Sequence, residues 1–417
     1  MWFTKKFLRK VTEHKKVVLY CVFLTLAITV AVELALLLGD QRLPGENGVS
    51  VRDDLHAIAE QAIDFCKNDA YRPSCYDKEI PKLTESISME DAFEVTRIVQ
   101  EQDQGYWYCH VLGHDLSARE TAKDLNAWKT VVARCPSGMC SNGCLHGAFQ
   151  ERFRTDALPE LSVSELKPEL IGICDAHDGW SPTGLERGTC AHALGHLTMY
   201  ITKANIEKAT ALCDELELRK EGSDLAQLCY DGAFMQIFQP LDPEDFALIK
   251  GKEVSKENHH RFCAQFKDQK QGACWSEGWP LHLAEIKRPA GLVAFCGEMK
   301  SNAREYERCF KALFYVVTAQ FNFDEKKIIN FCSGLPKEHQ GTCFSNAASR
   351  LIETDWRLVD RSVDICNSAA VFGVEKACYD ELLFYSRYNF KVGTKEVSRL
   401  CEKLPDGWKQ RCEEGKE

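Results

Sequence analysis

The chain has 417 residues, of which 21 are cysteine and 45% are hydrophobic, and its formal net charge is −10. Cysteine at this density is untypical of a cytosolic enzyme and indicates an oxidising compartment, where thiols pair. The acidic balance argues against nucleic acid as a partner, because phosphate binding requires a basic face.

The first 38 residues predict a membrane anchor. Residues 1–16 carry six basic side chains against one acid, and an apolar run of 22 residues, Val17 to Leu38, follows with Glu33 as its one charged residue. A helix of that length crosses a bilayer core of ~30 Å, and the basic flank predicts a cytoplasmic N-terminus. A cleaved signal peptide is the alternative, disfavoured because the run is long and lacks a small-x-small site. The predicted segments are a cytoplasmic tail (1–16), a transmembrane signal anchor (17–38), a linker (39–50) and an exported ectodomain (51–417).

The remaining cysteines also indicate export. Twenty of the 21 follow the apolar run, an even number that suits complete pairing, whereas Cys21 lies inside the run. No Asn-x-Ser/Thr acceptor site occurs, which favours a bacterial periplasm or cell surface. We therefore expect a single-pass membrane protein with its ectodomain in an oxidising compartment.

The cysteines recur at a period typical of repeat proteins. Successive members of one series are 34 to 46 residues apart, and a second series precedes it by 9 to 16 residues. Self-similarity at this period indicates stacked structural repeats. Each unit consists of a short amphipathic segment, a break and a longer helical segment, as in DEKKIINFC, SGLP and EHQGTCFSNAASRLIET. The sequence therefore predicts an all-α solenoid of antiparallel helix pairs of about 35 residues, with about one disulfide per pair.

Neighbouring members of the two series supply a disulfide pairing. We expect nine local bridges, each closing a short loop, and a tenth between the two cysteines that remain, Cys109 and Cys140. Sequence alone leaves the connectivity among Cys109, Cys135, Cys140 and Cys144 open. The nine local pairs are Cys66–Cys75, Cys135–Cys144, Cys174–Cys190, Cys213–Cys229, Cys263–Cys274, Cys296–Cys309, Cys332–Cys343, Cys366–Cys378 and Cys401–Cys412.

In period and cysteine placement the chain resembles the tetratricopeptide-like solenoids and, more closely, the cysteine-rich Sel1-like repeat proteins. The resemblance covers most of residues 51–417 and implies a helical-pair fold with one disulfide per pair. The small-residue signature of Sel1 repeats is missing, so the resemblance implies no functional residue.

Five histidines follow cysteines in three consecutive repeats, roughly residues 88–203. CHVLGH contains His110 and His114, CLHG contains His146, and CAHALGH contains His192 and His196. The i, i+4 spacing puts each pair on one helix face, and equivalent helices of a solenoid stack side by side. Imidazole pairs of this kind hold zinc, copper or iron. Asp231 has the register of His146 and His192 in the next repeat and completes the candidate ligand set, although an exposed acid is the simpler interpretation.

The later repeats lack histidine at these positions, so histidine is not part of the repeat pattern. The pattern predicts a metal site for metal-dependent chemistry or metal handling, without deciding whether the protein is an enzyme. No HExxH, CxxCH, nucleophile elbow or phosphate-binding loop is present. The alternative is a protein–protein interaction scaffold with structural histidines, because solenoids offer extended surfaces to partner proteins.

Overall fold

Helices form nearly all of the secondary structure in this computed structural model, which describes residues 51–103, 105–153, 163–177, 179–220, 223–240, 243–390 and 393–414. The α-helices are α1 (Val51–Cys66), α2 (Arg72–Glu79), α3 (Met89–Gln102), α4 (His110–Lys123), α5 (Trp128–Arg134), α6 (Gly143–Arg152), α7 (Val163–Leu170), α8 (Gly184–Ile201), α9 (Ile206–Glu215), α10 (Ala226–Phe238), α11 (Pro243–Ile249), α12 (Lys256–Cys263), α13 (Asp268–Glu277), α14 (Leu283–Ile286), α15 (Pro289–Gly297), α16 (Ala303–Gln320), α17 (Glu325–Ser333), α18 (Lys337–Thr354), α19 (Val359–Ala369), α20 (Glu375–Asn389), α21 (Lys395–Lys403) and α22 (Asp406–Glu413).

Short 3₁₀ turns and one hairpin complete the secondary structure. The turns are Ile80–Glu85, Leu125–Ala127, Cys140–Asn142, Trp279–His282, Trp356–Leu358 and Ala370–Phe372. The hairpin pairs β1 (Arg219–Lys220) with β2 (Ser223–Asp224). Within the described ranges this two-stranded sheet is the only one, so the prediction of an all-helical repeat region is confirmed.

Local sequence signals explain where the long helices begin and which face they bury. Thr183 caps α8 and forms a capping box with Glu186, so two backbone N–H groups at the helix start are satisfied. On α16, Phe310, Leu313 and Phe314 are buried at i, i+3 and i+4, which is the spacing of a helix that packs on one face.

Ten disulfides tie the helix pairs together, and disulfide bonding is thereby confirmed. Nine of the bridges are the local pairs that follow from the two cysteine series, with sequence separations of 9 to 16 residues. The tenth joins Cys109 to Cys140. Each of the nine local bridges connects a helix or its flanking turn to the helix that follows, so the two helices of each repeat are covalently linked.

The longer helix of each repeat packs on the next, and the row of helices returns on itself. Within His56–Glu417, which clusters as one unit, contacts run in order from α4 through α6, α8, α10, α13, α16 and α18 to α20. Helix α20 then packs on α8, and α18 packs on the turn Cys140–Asn142. We call this path of contacts the helical circuit.

The circuit closes through contacts between residues far apart in the chain, which we call the seam. Arg357 donates to the Arg97 carbonyl at 3.3 Å and to the Gln100 amide oxygen at 3.1 Å. The ring of Tyr388 lies so close to Gly184 that a Cβ there would approach it to 2.2 Å. The seam therefore joins the late repeats to the early, histidine-bearing repeats.

One part of the predicted fold class is wrong. A transmembrane helix was expected, but over the described residues no helix is long and apolar enough to cross a bilayer. The sequence analysis also contained no prediction of the seam, where α20 packs on α8. The fold is accordingly corrected to an all-helical, disulfide-linked repeat structure.

The predicted localisation is corrected on the same finding. Among the described residues between 51 and 414, no helix could form the single membrane span that the prediction required. The predicted tail (1–16), anchor (17–38) and linker (39–50) lie outside the described residues. The ten disulfides still indicate an oxidising environment.

Candidate metal centre

Three neighbouring helices of the circuit carry the five histidines, each close to a disulfide. His110 begins α4 directly after Cys109, His146 lies two residues after Cys144 on α6, and α8 carries His192 two residues after Cys190. The bridges fix the helices from which the imidazoles project. The sequence placed the histidines in equivalent repeats, and the structure brings all five together.

Glycines let these helices approach closely at the histidines. A Cβ at Gly147 would lie 2.0 Å from the carbonyl oxygen of His114, and a Cβ at Gly143 would lie 2.2 Å from that of His110. The same arrangement recurs between α8 and α10, where a Cβ at Gly232 would lie 2.0 Å from the carbonyl oxygen of His192. Only glycine permits such backbone contact, so the histidines are held at two close helix crossings.

Each i, i+4 pair points its ring nitrogens at one another. Nε2 of His114 lies 3.1 Å from Nε2 of His110, and Nε2 of His196 lies 3.2 Å from Nε2 of His192. The His146 ring lies between the pairs, with its centroid 5.0 Å from both His110 and His114 and 5.5 Å from His192. The five rings form one continuous histidine cluster.

Two of the five imidazoles hydrogen-bond to groups outside the cluster. Nδ1 of His110 lies 3.2 Å from the Cys140 carbonyl, and Nδ1 of His196 lies 2.7 Å from the Gln236 amide oxygen. The Gln150 side chain partly offsets the lowering of the pKa of His114, and the Leu228 backbone does the same for His192. Such outward contacts orient histidine ligands in metalloproteins.

The hydrogen bond of His196 fixes the state of the nitrogen that faces His192. A carbonyl oxygen can only accept, so neutral His196 places its single proton on Nδ1, toward the Gln236 amide oxygen. Nε2 of His196 then carries a lone pair that faces Nε2 of His192 at 3.2 Å. That lone pair can accept a proton from His192 or bind a cation that lies between the two nitrogens.

Burial keeps the cluster neutral. Desolvation lowers the pKa of His110 to about 4 and holds the pKa values of His114, His146 and His192 well below the ordinary value. Neighbouring imidazoles lower the pKa of each of these four histidines further, because two adjacent rings cannot both carry charge. Neutral imidazole is the form that binds metal ions.

A pocket opens onto the cluster. Its volume is about 30 Å³, enough for a water molecule or a metal ion, and His110, His114, His146 and His196 contribute to its lining. Nε2 of His146 is buried without a hydrogen-bond partner. Burying a nitrogen without a hydrogen-bond partner lowers the stability of a folded protein. This nitrogen is therefore available to bind a ligand.

The pocket contains a carboxylate that sequence reasoning missed. Asp245 on α11 lines the pocket beside His196, is 6% exposed, and accepts a hydrogen bond from the Tyr200 hydroxyl. Its negative charge acts on His196, whose pKa is lowered by burial and raised in part by Asp245. Asp245 has no counterpart in the cysteine register, so the repeat pattern contained no signal for it.

Asp231, the carboxylate suggested by register, lies elsewhere. It is buried, its Oδ1 is 3.2 Å from Nη1 of Arg308, and it accepts a hydrogen bond from Gln227 at 3.1 Å. It is not among the residues that line the pocket. The structure therefore places Asp231 in an ion pair.

A turn in the left-handed backbone conformation contains the hydrogen-bond partner of His110. Cys140, Ser141 and Asn142 have positive φ values of 50°, 47° and 57°, a run that L-residues rarely adopt. The Cys109–Cys140 bridge and α18 hold this turn, and its Cys140 carbonyl is the hydrogen-bond partner of His110. Backbone strain of this kind concentrates at functional sites.

The aromatic residues before the first histidine motif divide between core and pocket edge. Tyr106 is buried and donates to Asp77 at 2.7 Å, and Trp107 packs under the Arg361 guanidinium. Tyr108 is 45% exposed and stacks on His110 with a centroid distance of 5.9 Å.

Four further histidines among the described residues, His259, His260, His282 and His339, lie apart from the cluster. His259 is fully buried, stacks on Trp275 at 4.6 Å between centroids, and places Nδ1 3.1 Å from Nε2 of His282. His339 stacks on Phe310 at 3.9 Å, and His260 is exposed beside Glu298. His259 lies near Cys263 and Cys274, but these two sulfurs are joined in a disulfide and are not free ligands.

Comparison with known proteins gives no relative for this chain: no family model, no curated protein and no solved structure matches it.

Proposed function

We propose that the histidine cluster holds a resident transition-metal centre and that the protein uses it for metal-dependent chemistry. The observation that carries the proposal is the His192–His196 pair, whose Nε2 atoms face each other at 3.2 Å while the His196 ring hydrogen-bonds outward to Gln236. Two nitrogens bound to one tetrahedral ion at ~2.0–2.1 Å lie about 3.3–3.4 Å apart. The pair is therefore close to the geometry that an ion requires.

The type of donor atom limits which metal ions the cluster can bind. The five predicted histidine ligands are imidazoles, which suit zinc, copper and iron, whereas calcium and magnesium prefer oxygen. The cysteines beside the histidines are oxidised, so no thiolate competes for the ion. Zinc, copper or iron is accordingly the proposed cofactor.

Rigidity and burial favour a resident centre over metal transfer. Three disulfides and the close glycine contacts fix the helices, and His110 and His146 are 8% and 6% exposed. A transfer protein must release its ion, which requires ligands that can move. A buried centre with an adjoining pocket is instead suited to binding a small substrate at an open coordination position.

Elemental analysis of the oxidised protein tests this function. We expect at least one equivalent of zinc, copper or iron, retained after dialysis and diminished in His146→Asn. His260→Asn, which changes an exposed histidine outside the cluster, is the matched control and should retain the wild-type content. A native protein that holds no metal, and takes up none of the three ions after apo-protein loading, would contradict the proposal.

A protein-binding scaffold is the second candidate, and exposed aromatic side chains favour it. Phe65 and Tyr71 are 68% and 70% exposed in the first disulfide-linked helix pair. The proposed partner is another protein, bound on the outer surface of the repeats, in keeping with the distant likeness to Sel1-like and tetratricopeptide-like proteins. If the metal analysis is negative, this function takes first place and the histidines are packing residues.

A further inference from the structure

The histidine cluster contains two similar pairs of histidines. On α4 the pair is His110 and His114, and on α8 it is His192 and His196, with Nε2 separations of 3.1 and 3.2 Å. One ring of each pair is also oriented from outside the cluster. His110 of the first pair hydrogen-bonds the Cys140 carbonyl, and His196 of the second pair hydrogen-bonds Gln236 on α10.

One ion cannot take all five nitrogens. Ligand nitrogens of His110, His114 and His146 lie within 4.8 Å of one another, and this set does not include His192 and His196. The His146 centroid is 5.8 Å from that of His196. Since an ion binds imidazole nitrogen at ~2.0–2.1 Å, each pair meets the distance requirement separately.

We infer that the cluster is a two-metal centre. This inference rests on the proposed function and specifies its site: one transition-metal ion binds His110, His114 and His146, and a second binds His192 and His196. Asp245 supplies negative charge near the second ion, since it is the only carboxylate among the residues that line the pocket with His196. His146 lies between the two ions, because its ring is within 5.8 Å of all four other rings.

Metal stoichiometry decides the inference. The full-length oxidised protein is stripped of metal, loaded with Zn²⁺ by equilibrium dialysis and analysed for zinc per chain. Two tightly held equivalents are expected. One equivalent overturns the two-metal inference and leaves the proposed function standing. No zinc overturns the two-metal inference, and the same loading with copper and iron then tests the proposed function, which is overturned when none of the three ions binds.

Paired variants assign the two ions. His110→Asn/His114→Asn and His192→Asn/His196→Asn should each bind one equivalent, and all four substitutions together should bind none. Loading the two double variants with Co²⁺ should give different visible spectra, because His146 completes the donor set of one pair and not that of the other. Asp245→Asn should weaken binding of the ion retained by His110→Asn/His114→Asn and leave the other ion unchanged.

Matched controls keep the assignment falsifiable. His260→Asn should retain two equivalents, and circular dichroism should show wild-type helicity in every variant that is interpreted. If either double variant keeps two equivalents, or loses both while its helicity is intact, the two pairs do not bind separate ions and the inference is overturned.

Discussion

His110 shows how burial sets the chemistry of a single residue. It is 8% exposed, and desolvation lowers its pKa to about 4 even though the Cys140 carbonyl favours the protonated ring. The charge of Arg350 on α18 lowers the pKa further. His110 therefore stays neutral and ready to bind metal well below the pH at which a free histidine protonates.

The depressed pKa of His110 makes the stability of the metal-free protein depend on pH. Its contribution is complete above the unfolded-state value of ~6.5 and is lost as the pH falls toward about 4, because the unfolded chain then binds the extra proton. The loss is on the order of 3 kcal/mol at its limit. Urea unfolding of the apo-protein at pH 7.5 to 4.5, with disulfides intact, should show wild type losing its advantage over His110→Gln as the pH falls.

The comparison of two proteins is needed because other buried groups titrate in the opposite direction. Burial raises the pKa of Asp77 to about 6 and that of Glu277 to about 8, so both groups favour the folded state as the pH falls. These contributions are common to wild type and His110→Gln and cancel in the difference. A difference that stays constant from pH 7.5 to 4.5 would contradict the assignment.

At the scale of elements, the site depends on how closely α4 and α6 cross. Gly147 meets the His114 carbonyl, and Ser117 donates to the same carbonyl at 3.1 Å. Any side chain at position 147 must push α6 away from α4 and carry His146 with it. The crossing therefore couples helix packing to the position of the central imidazole.

Gly147→Ala should cost about 1–3 kcal/mol of unfolding free energy, because its Cβ would lie 2.0 Å from a backbone oxygen. Zinc affinity should fall together with stability, as measured by competition with a chromophoric chelator. Gly297→Ala, at the end of α15 where nothing lies within 4 Å, is the matched control and should be as stable as wild type or slightly more stable. Equal behaviour of the two variants would exclude the close crossing.

The periodic part of the structure could be predicted, and the irregular part could not. The spacing of Cys109, Cys144 and Cys190 places His110, His146 and His192 on equivalent helices, and a repeat brings equivalent helices together. The repeat register also suggested Asp231 as a ligand. A buried carboxylate is stabilised by a neighbouring cation, however, and Asp231 forms an ion pair with Arg308 of α16. Asp245 reaches the pocket from α11, outside the repeat register, so no period could reveal it.

At the scale of the whole repeat region, the seam was also beyond prediction. Tyr388 meets Gly184 across about two hundred residues of chain, and such a contact depends on small rotations accumulated from repeat to repeat. Neither residue has a sequence signature. Closure of the circuit therefore depends on rotations summed over many repeats, whereas each local disulfide depends only on the spacing of two nearby cysteines.

Tyr388→Ala should open the seam without unfolding the repeats. Amide hydrogen exchange should rise about tenfold or more in the first turns of α8 and in α20, because a large side chain is lost from their contact. Helices α13 and α16, on the other side of the circuit, should exchange as in wild type. Tyr71→Ala removes an exposed tyrosine and should change none of these rates. Uniform acceleration in all helices would show that the seam is not a separate contact.

The distance of the seam from the histidine cluster along the chain sets an order of events during synthesis. Every residue that lines the pocket lies between His110 and Asp245, whereas Tyr388 is made roughly 140 residues later. At ~5–20 residues per second, about 7–30 s separate completion of the pocket from the arrival of the closing helix. Ions of the proposed metal centre could therefore reach the pocket of a growing chain while the circuit is still open, before the last repeats close it.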